Sequence, residues 1–247
     1  MGHLGRTPCG YPGRVTMKAR LEGHDFDLQD LADMLPFGAT RVEKDEDGYF
    51  LTSNEIDERP PNVPFHEAAG AVLRRVNGLA RARNPSFRPV QLSGRYSEGT
   101  SVHVALVADA IEVRVRATAT AVVVGQDGEE KKAPAQPGPE RAVRAAARPH
   151  VAEALAIMGQ SGPLTWTDMY KVYEIVRDDA KPRTLAELGW ATDAEVKAFT
   201  ASANRPDVSG SGARHARMRG NPPRQSMDEA QGRDFISRLV TAWIDAS

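Results

Sequence analysis

The stretch IEVRVRATATAVV, residues 111–123, places Ile111, Val113, Val115, Ala117, Ala119, Ala121 and Val123 on odd positions. Glu112, Arg114, Arg116, Thr118 and Thr120 alternate with them. Successive side chains of a strand point to opposite faces, so this pattern predicts one buried and one wet face. A sheet wet on one side is antiparallel, because parallel sheets are covered on both. Upstream, residues 17–21 read as a short strand. Residues 40–44 and 49–53 flank the turn Asp45-Glu46-Asp47-Gly48 and read as a hairpin. Residues 88–95 and 102–108 look extended. Phe26, Leu28, Leu31, Met34 and Leu35 recur at helical spacing and stop at Pro36. A second helix starts near Phe65, with Ala68, Ala69, Val72, Val76 and Leu79 on one face and Glu67, Arg74, Arg75 and Arg81 on the other. The N-terminal half is therefore expected to be a small antiparallel sheet with two helices against it.

Downstream the signal changes. GQDGEEKKAPAQPGPE, residues 125–140, is charged, rich in Pro and Gly, and has almost nothing to bury. Past it, residues 141–147 and 149–158 are helical in pattern, with Pro149 suited to a first helical turn. Three capping boxes then mark helix starts: Thr165 with Asp168, Thr192 with Glu195, and Ser226 with Glu229. The fold expected is α+β, with a flexible leader at 1–16, an α+β domain at 17–124, a linker at 125–140 and a helical bundle domain at 141–247. Tyr170 and Tyr173, at helical spacing beside Trp166 and Met169, are expected in the bundle core.

Composition narrows the function classes. The chain has 247 residues, a formal net charge of −1 and one cysteine, Cys9. A near-zero charge gives no global pull towards nucleic acid or membrane, so electrostatic recognition has to come from local clustering. One cysteine excludes an intrachain disulfide and a cysteine-rich zinc site, and fits a cytoplasmic setting. Scattered histidines argue for no metal, and no motif calls for a cofactor. HEAAG at residues 66–70 opens like a zinc-protease helix but lacks the second histidine. No apolar run reaches membrane length.

Chemical character concentrates at residues 203–224, ANRPDVSGSGARHARMRGNPPR, with Arg205, Arg214, Arg217, Arg219, Arg224, His215 and Asp207. The Ser/Gly run permits backbone conformations that aim N–H groups at an anion. Arg214 offers a bidentate fork to phosphate, and His215 a proton acceptor or donor near neutral pH. Thr167, Lys171, Glu174 and Asp178 share one helical side, which lets Glu174 pair with Arg214 as an orienting group. The same features also fit a solvated basic connection and the wet side of an amphipathic helix.

The tail, from TDMYKVYEIV through FTASANRPDVSGSGARHARMRGNPPRQSMDEAQGRDFISRLVTAW, resembles the C-terminal module of bacterial proteins met near mobile elements. It also resembles the helical ribonuclease bundles called HEPN, found in toxins and phage-defence systems. Those bundles use an arginine, a short polar spacer and a histidine at a helix start, usually as a dimer; here Arg214 and His215 adjoin. The resemblance implies binding or cleavage of nucleic acid, RNA above all. Arg214, His215 and Glu174 would then be the catalytic group, and Arg205, Arg217, Arg219 and Arg224 would contact phosphates. The alternative expectation is a non-catalytic subunit of a bacterial or phage assembly, with a protein partner or a second copy docking on the sheet or bundle.

Overall fold

A computed structural model of the chain describes residues 16–105, 138–218 and 225–246. The strand expected at 111–123, nearly all of the expected leader and linker, Arg219 and Arg224 lie outside the described residues.

The architecture is α+β, with antiparallel strands in the N-terminal half and helices after them. The N-terminal half runs β1 (Met17–Glu22), α1 (Asp25–Met34), β2 (Thr40–Asp45), β3 (Gly48–Ser53), α2 (Asn54–Asp57), α3 (Phe65–Arg83), β4 (Gln91–Glu98) and β5 (Ser101–Val104). Among the described residues the strands form one sheet in the order β2-β3-β1-β4-β5, each pair antiparallel. β1 lies at the centre, Ala19 pairing with Leu51 on one side and Tyr96 on the other. Its Met17, Ala19 and Leu21 are buried while Lys18 and Arg20 are not, the period-two pattern of a half-covered sheet. The register between β1 and β4 slips after Ala19, where Gly94 adopts φ +78° and its carbonyl accepts from the Ala105 N–H at 2.8 Å. β4 carries two extra residues at this slip, and a positive φ among them is how a strand bends without losing its ladder. α1 stops at Met34, just before Pro36, whose ring disfavours helical backbone in the residue preceding it.

The C-terminal half comprises α4 (Gly138–Ala147), α5 (Pro149–Met158), α6 (Trp166–Asp179), α7 (Asp193–Asn204), α8 (Pro206–Ser209) and α9 (Glu229–Asp245). Arg148 is extended ahead of Pro149, which occupies the first turn of α5 and separates it from α4. α4 begins three residues earlier than the linker reading expected. Gly138 is buried there, and a Cβ on it would come 2.0 Å from the Met34 carbonyl oxygen at the end of α1. Capping boxes form at Thr165–Asp168 and Thr192–Glu195 as expected. The third is shifted by two residues: Asp228, not Ser226, caps α9, and Gln231 rather than Glu229 returns the bond. The Met227 N–H is already donated to Ser202 Oγ at 2.7 Å, which fixes the chain in a non-helical path up to Asp228.

Trp166, Tyr170, Tyr173, Phe199 and Phe235 pack ring against ring inside the bundle, with centroids 4.9–6.4 Å apart. Both tyrosines are buried, as expected. The bundle also packs on α3. Gly78 lets that helix meet α5 at backbone distance, and Gly159 lets the end of α5 meet Arg74 in the same way. At the end of α3 the carbonyls of Arg81 and Ala82, which have no partner within the helix, accept from Ser237 Oγ and Thr241 Oγ1 of α9, both at 3.0 Å. Buried side chains from the sheet, α3 and the bundle form one contiguous core.

Candidate functional site

The basic loop leaves α7 through Arg205, turns once as α8, and closes in a tight turn at residues 210–212, with Gly210 at φ +59°. Two contacts tie it back to the end of α7. Ser209 Oγ donates to the Ser202 carbonyl at 2.6 Å, and the Arg214 N–H donates to the Ala203 carbonyl at 2.8 Å.

This anchoring sorts the arginines. Arg205 is 7% exposed, and its guanidinium grips Asp207 through Nε at 2.9 Å and Nη2 at 2.7 Å. That bidentate bond holds the Asp207 carboxyl below the ordinary aspartate range. Arg214 lies over the face of Tyr170, 4.2 Å from the ring centre, with Nη2 3.8 Å from Glu174 Oε2. Tyr170 and Glu174 sit one turn apart on α6, so the helix offers a ring and a carboxylate to one guanidinium. The aromatic contact is worth about 0.5–1 kcal/mol at such a half-open site, and the ion pair about 1 kcal/mol at most. His215 and Arg217 follow as exposed side chains, and among the described residues neither makes a hydrogen bond or ion pair. Lys171 is exposed on the same side of α6. The structure therefore brings Arg214 and Glu174 together, leaves His215 and Arg217 in solvent, and turns Arg205 inward.

A second concentration of charge was hidden from the sequence. A cleft of about 430 Å³ opens between the two halves, where the turn after β1 and the α3–β4 connection face the α5–α6 turn and α9. Arg81 stands in its wall. The helical pattern assigns it to the wet face of α3, yet it is 6% exposed, because the α5–α6 turn folds over it. Its Nε donates to the Phe87 carbonyl at 3.4 Å, Nη1 to those of Met158 at 2.7 Å and Gln160 at 3.0 Å, and Nη2 to that of Gly162 at 2.5 Å. A cation is favourable at the carbonyl end of α5, where helix carbonyls lack intrahelical donors. Burial, together with the charge of Arg233, pushes the Arg81 guanidinium down to about 10, so it keeps its proton at neutral pH. Arg233 of α9 also lines the cleft, with Nε 3.2 Å from the Leu164 carbonyl and Nη2 2.5 Å from Glu229. No local sequence signal could have found this site, since its residues come from four separate segments spread between Glu22 and Ser237.

Among the described residues there is no cluster of three His, Cys, Asp or Glu able to hold a metal ion, and no helix long and apolar enough to cross a membrane. Comparison with protein-family models, with curated proteins and with solved structures finds no match.

Proposed function

We propose that this protein binds nucleic acid through the loop that carries Arg214, His215 and Arg217, without cutting it. The observation that carries the reading is Arg214 seated on the Tyr170 ring, beside two exposed residues that can approach phosphates. A guanidinium held against an aromatic ring has already lost part of its rotational freedom, so less is lost again on contact with a phosphate or base. Acid–base cleavage needs a histidine within hydrogen-bond reach of the substrate proton it moves, and a partner that holds the ring there favours it. His215 stands alone in solvent among the described residues, which favours binding over catalysis. RNA is the preferred target, because single-stranded segments present both phosphates and open base faces.

The test is binding and cleavage of mixed RNA and DNA by the wild type and by the double variant Arg214→Ala, His215→Ala, at two salt concentrations. Binding should weaken as salt rises, because phosphate contacts release counterions. The double variant should bind about tenfold or more weakly and depend less on salt, while staying folded with at most about 1–2 kcal/mol less stability from the lost Tyr170 and Glu174 contacts. Equal binding by both proteins, or none by either, would overturn the reading and turn the search to a protein partner.

A further inference from the structure

We propose that the cleft between β1, the α3–β4 connection, the α5–α6 turn and α9 binds a small organic anion, with an oxyanion head held by Arg81 and Arg233. The proposal is independent of the loop and of any nucleic acid bound there. It begins with the hydrogen-bond inventory of Arg81. A guanidinium has five N–H groups, and four of them go to the carbonyls of Phe87, Met158, Gln160 and Gly162. The second hydrogen on Nη2 has no protein acceptor among the described residues. Neither does any carboxylate among them reach ion-pair distance of Arg81. Asp168 acts on the Arg81 charge from beyond ion-pair distance and offsets only part of the cost of its burial. Carbonyl dipoles solvate the charge but do not cancel it, and a buried charge without a close counter-ion is costly.

The surroundings add to the positive field. Arg233 lies close enough to disfavour the charge on Arg81, and Arg88 also lines the cleft, against Glu22 as the one acidic residue of its lining and Glu229 paired with Arg233. An anion between the two guanidiniums would offset their repulsion and take up the remaining Nη2 hydrogen. Arg–oxyanion bonds of this kind are short, charge-assisted and directional. Phe87, Leu164 and the prolines beside them supply apolar wall, and the volume of about 430 Å³ lies within the range of small-molecule sites. The ligand class is therefore an acidic head, phosphate ester or carboxylate, on an apolar body.

Titration of the full chain with phenyl phosphate, benzoate and inorganic phosphate, followed by calorimetry, tests this. The first two probes share a ring and differ in the head, so their ranking identifies the head group. At least one of them should bind more tightly than inorganic phosphate. Arg233→Gln should weaken that binding about tenfold or more, the loss expected for a charge-assisted bond. Glu229→Gln releases Arg233 from its present partner and should tighten binding. Neither change touches the four carbonyl contacts of Arg81. Arg233→Gln also gives up the bond to the Leu164 carbonyl and both variants lose the Arg233–Glu229 pair, so each should stay folded with only a modest drop in unfolding midpoint. No binding of either ring-bearing probe, unchanged affinity in Arg233→Gln, or weaker affinity in Glu229→Gln would overturn the proposal.

Discussion

Gly78 of α3 stands so close to Leu155 of α5 that a Cβ added to it would lie 2.0 Å from the Leu155 carbonyl oxygen and 2.8 Å from its Cα. Both neighbours are backbone, so no side chain can swing aside to make room. The approach of the sheet-bearing half to the bundle is set here, and again at Gly159, where the corresponding distance to the Arg74 carbonyl oxygen is 1.8 Å.

Gly78→Ala should therefore destabilise the protein by about 3 kcal/mol or more, the upper range for overpacking. Gly70 is the control on the same helix. A Cβ there meets nothing nearer than Arg74 Nη1, at 3.7 Å. Gly70→Ala should stabilise by about 0.5–1 kcal/mol through helix propensity. Urea unfolding of the two variants measures both, and two similar results would contradict the packing described.

The start of α9 gives a second test. Asp228→Ala removes the side chain that accepts from the Gln231 N–H at 2.8 Å and should cost about 1 kcal/mol. Ser226→Ala, which removes no capping bond, should change the unfolding midpoint little. Thermal melts of the two variants distinguish the frames.

Acid should weaken the start of α7 and the turn at residues 184–187. The backbone N–H of Thr184, then its hydroxyl, hold the Glu187 carboxyl below the usual glutamate value of 4.5, and Thr192 does the same for Glu195. A carboxyl lowered in the folded state contributes stability above its unfolded value and loses it as pH falls through the folded one. Stability should thus hold from neutral pH to about pH 5 and decline below it. Glu187→Gln with Glu195→Gln retains hydrogen-bonding carbonyls but removes both titrations, so its decline in acid should be shallower. Denaturant midpoints across that range provide the measurement.

Arg205 and Asp207 separate a structural arginine from a phosphate-binding one. Asp207→Asn weakens the fork on the Arg205 guanidinium and should lower stability slightly, the Asp207 side being open to solvent. If Arg205 serves the fold, nucleic-acid affinity should stay level or rise slightly, since a negative charge has left the loop. A clear fall in affinity at unchanged stability would return Arg205 to the binding surface.

The segments that could be read from sequence are those whose own residues decide them. Period-two strands such as β1, helices with a caught terminus such as α6 and α7, and Pro149 at a helix start all state their structure locally. The Glu174–Arg214 meeting was also within reach, because helical spacing put Glu174 on the side of α6 that the loop returns to. What was misread depended on distant chain. The sequence SMDEAQ contains two overlapping capping patterns, and the bond from Met227 to Ser202, on another helix, selects between them. Arg81 sits at a polar position of its helical wheel, and only the fold of residues 158–162 over it makes that position an interior one. Charge counting gave Arg205 the same weight as Arg217, since composition does not say which arginine turns back on an aspartate two residues away.

The way α3 is shared has a practical consequence. It serves the sheet with one flank, while α5 closes on Gly78 and α9 bonds its final carbonyls on the other. Expressed as two polypeptides, residues 16–105 and 138–247 would each bare a surface shaped for the other. Such halves should reassemble in trans, which makes the chain a natural scaffold for a split reporter.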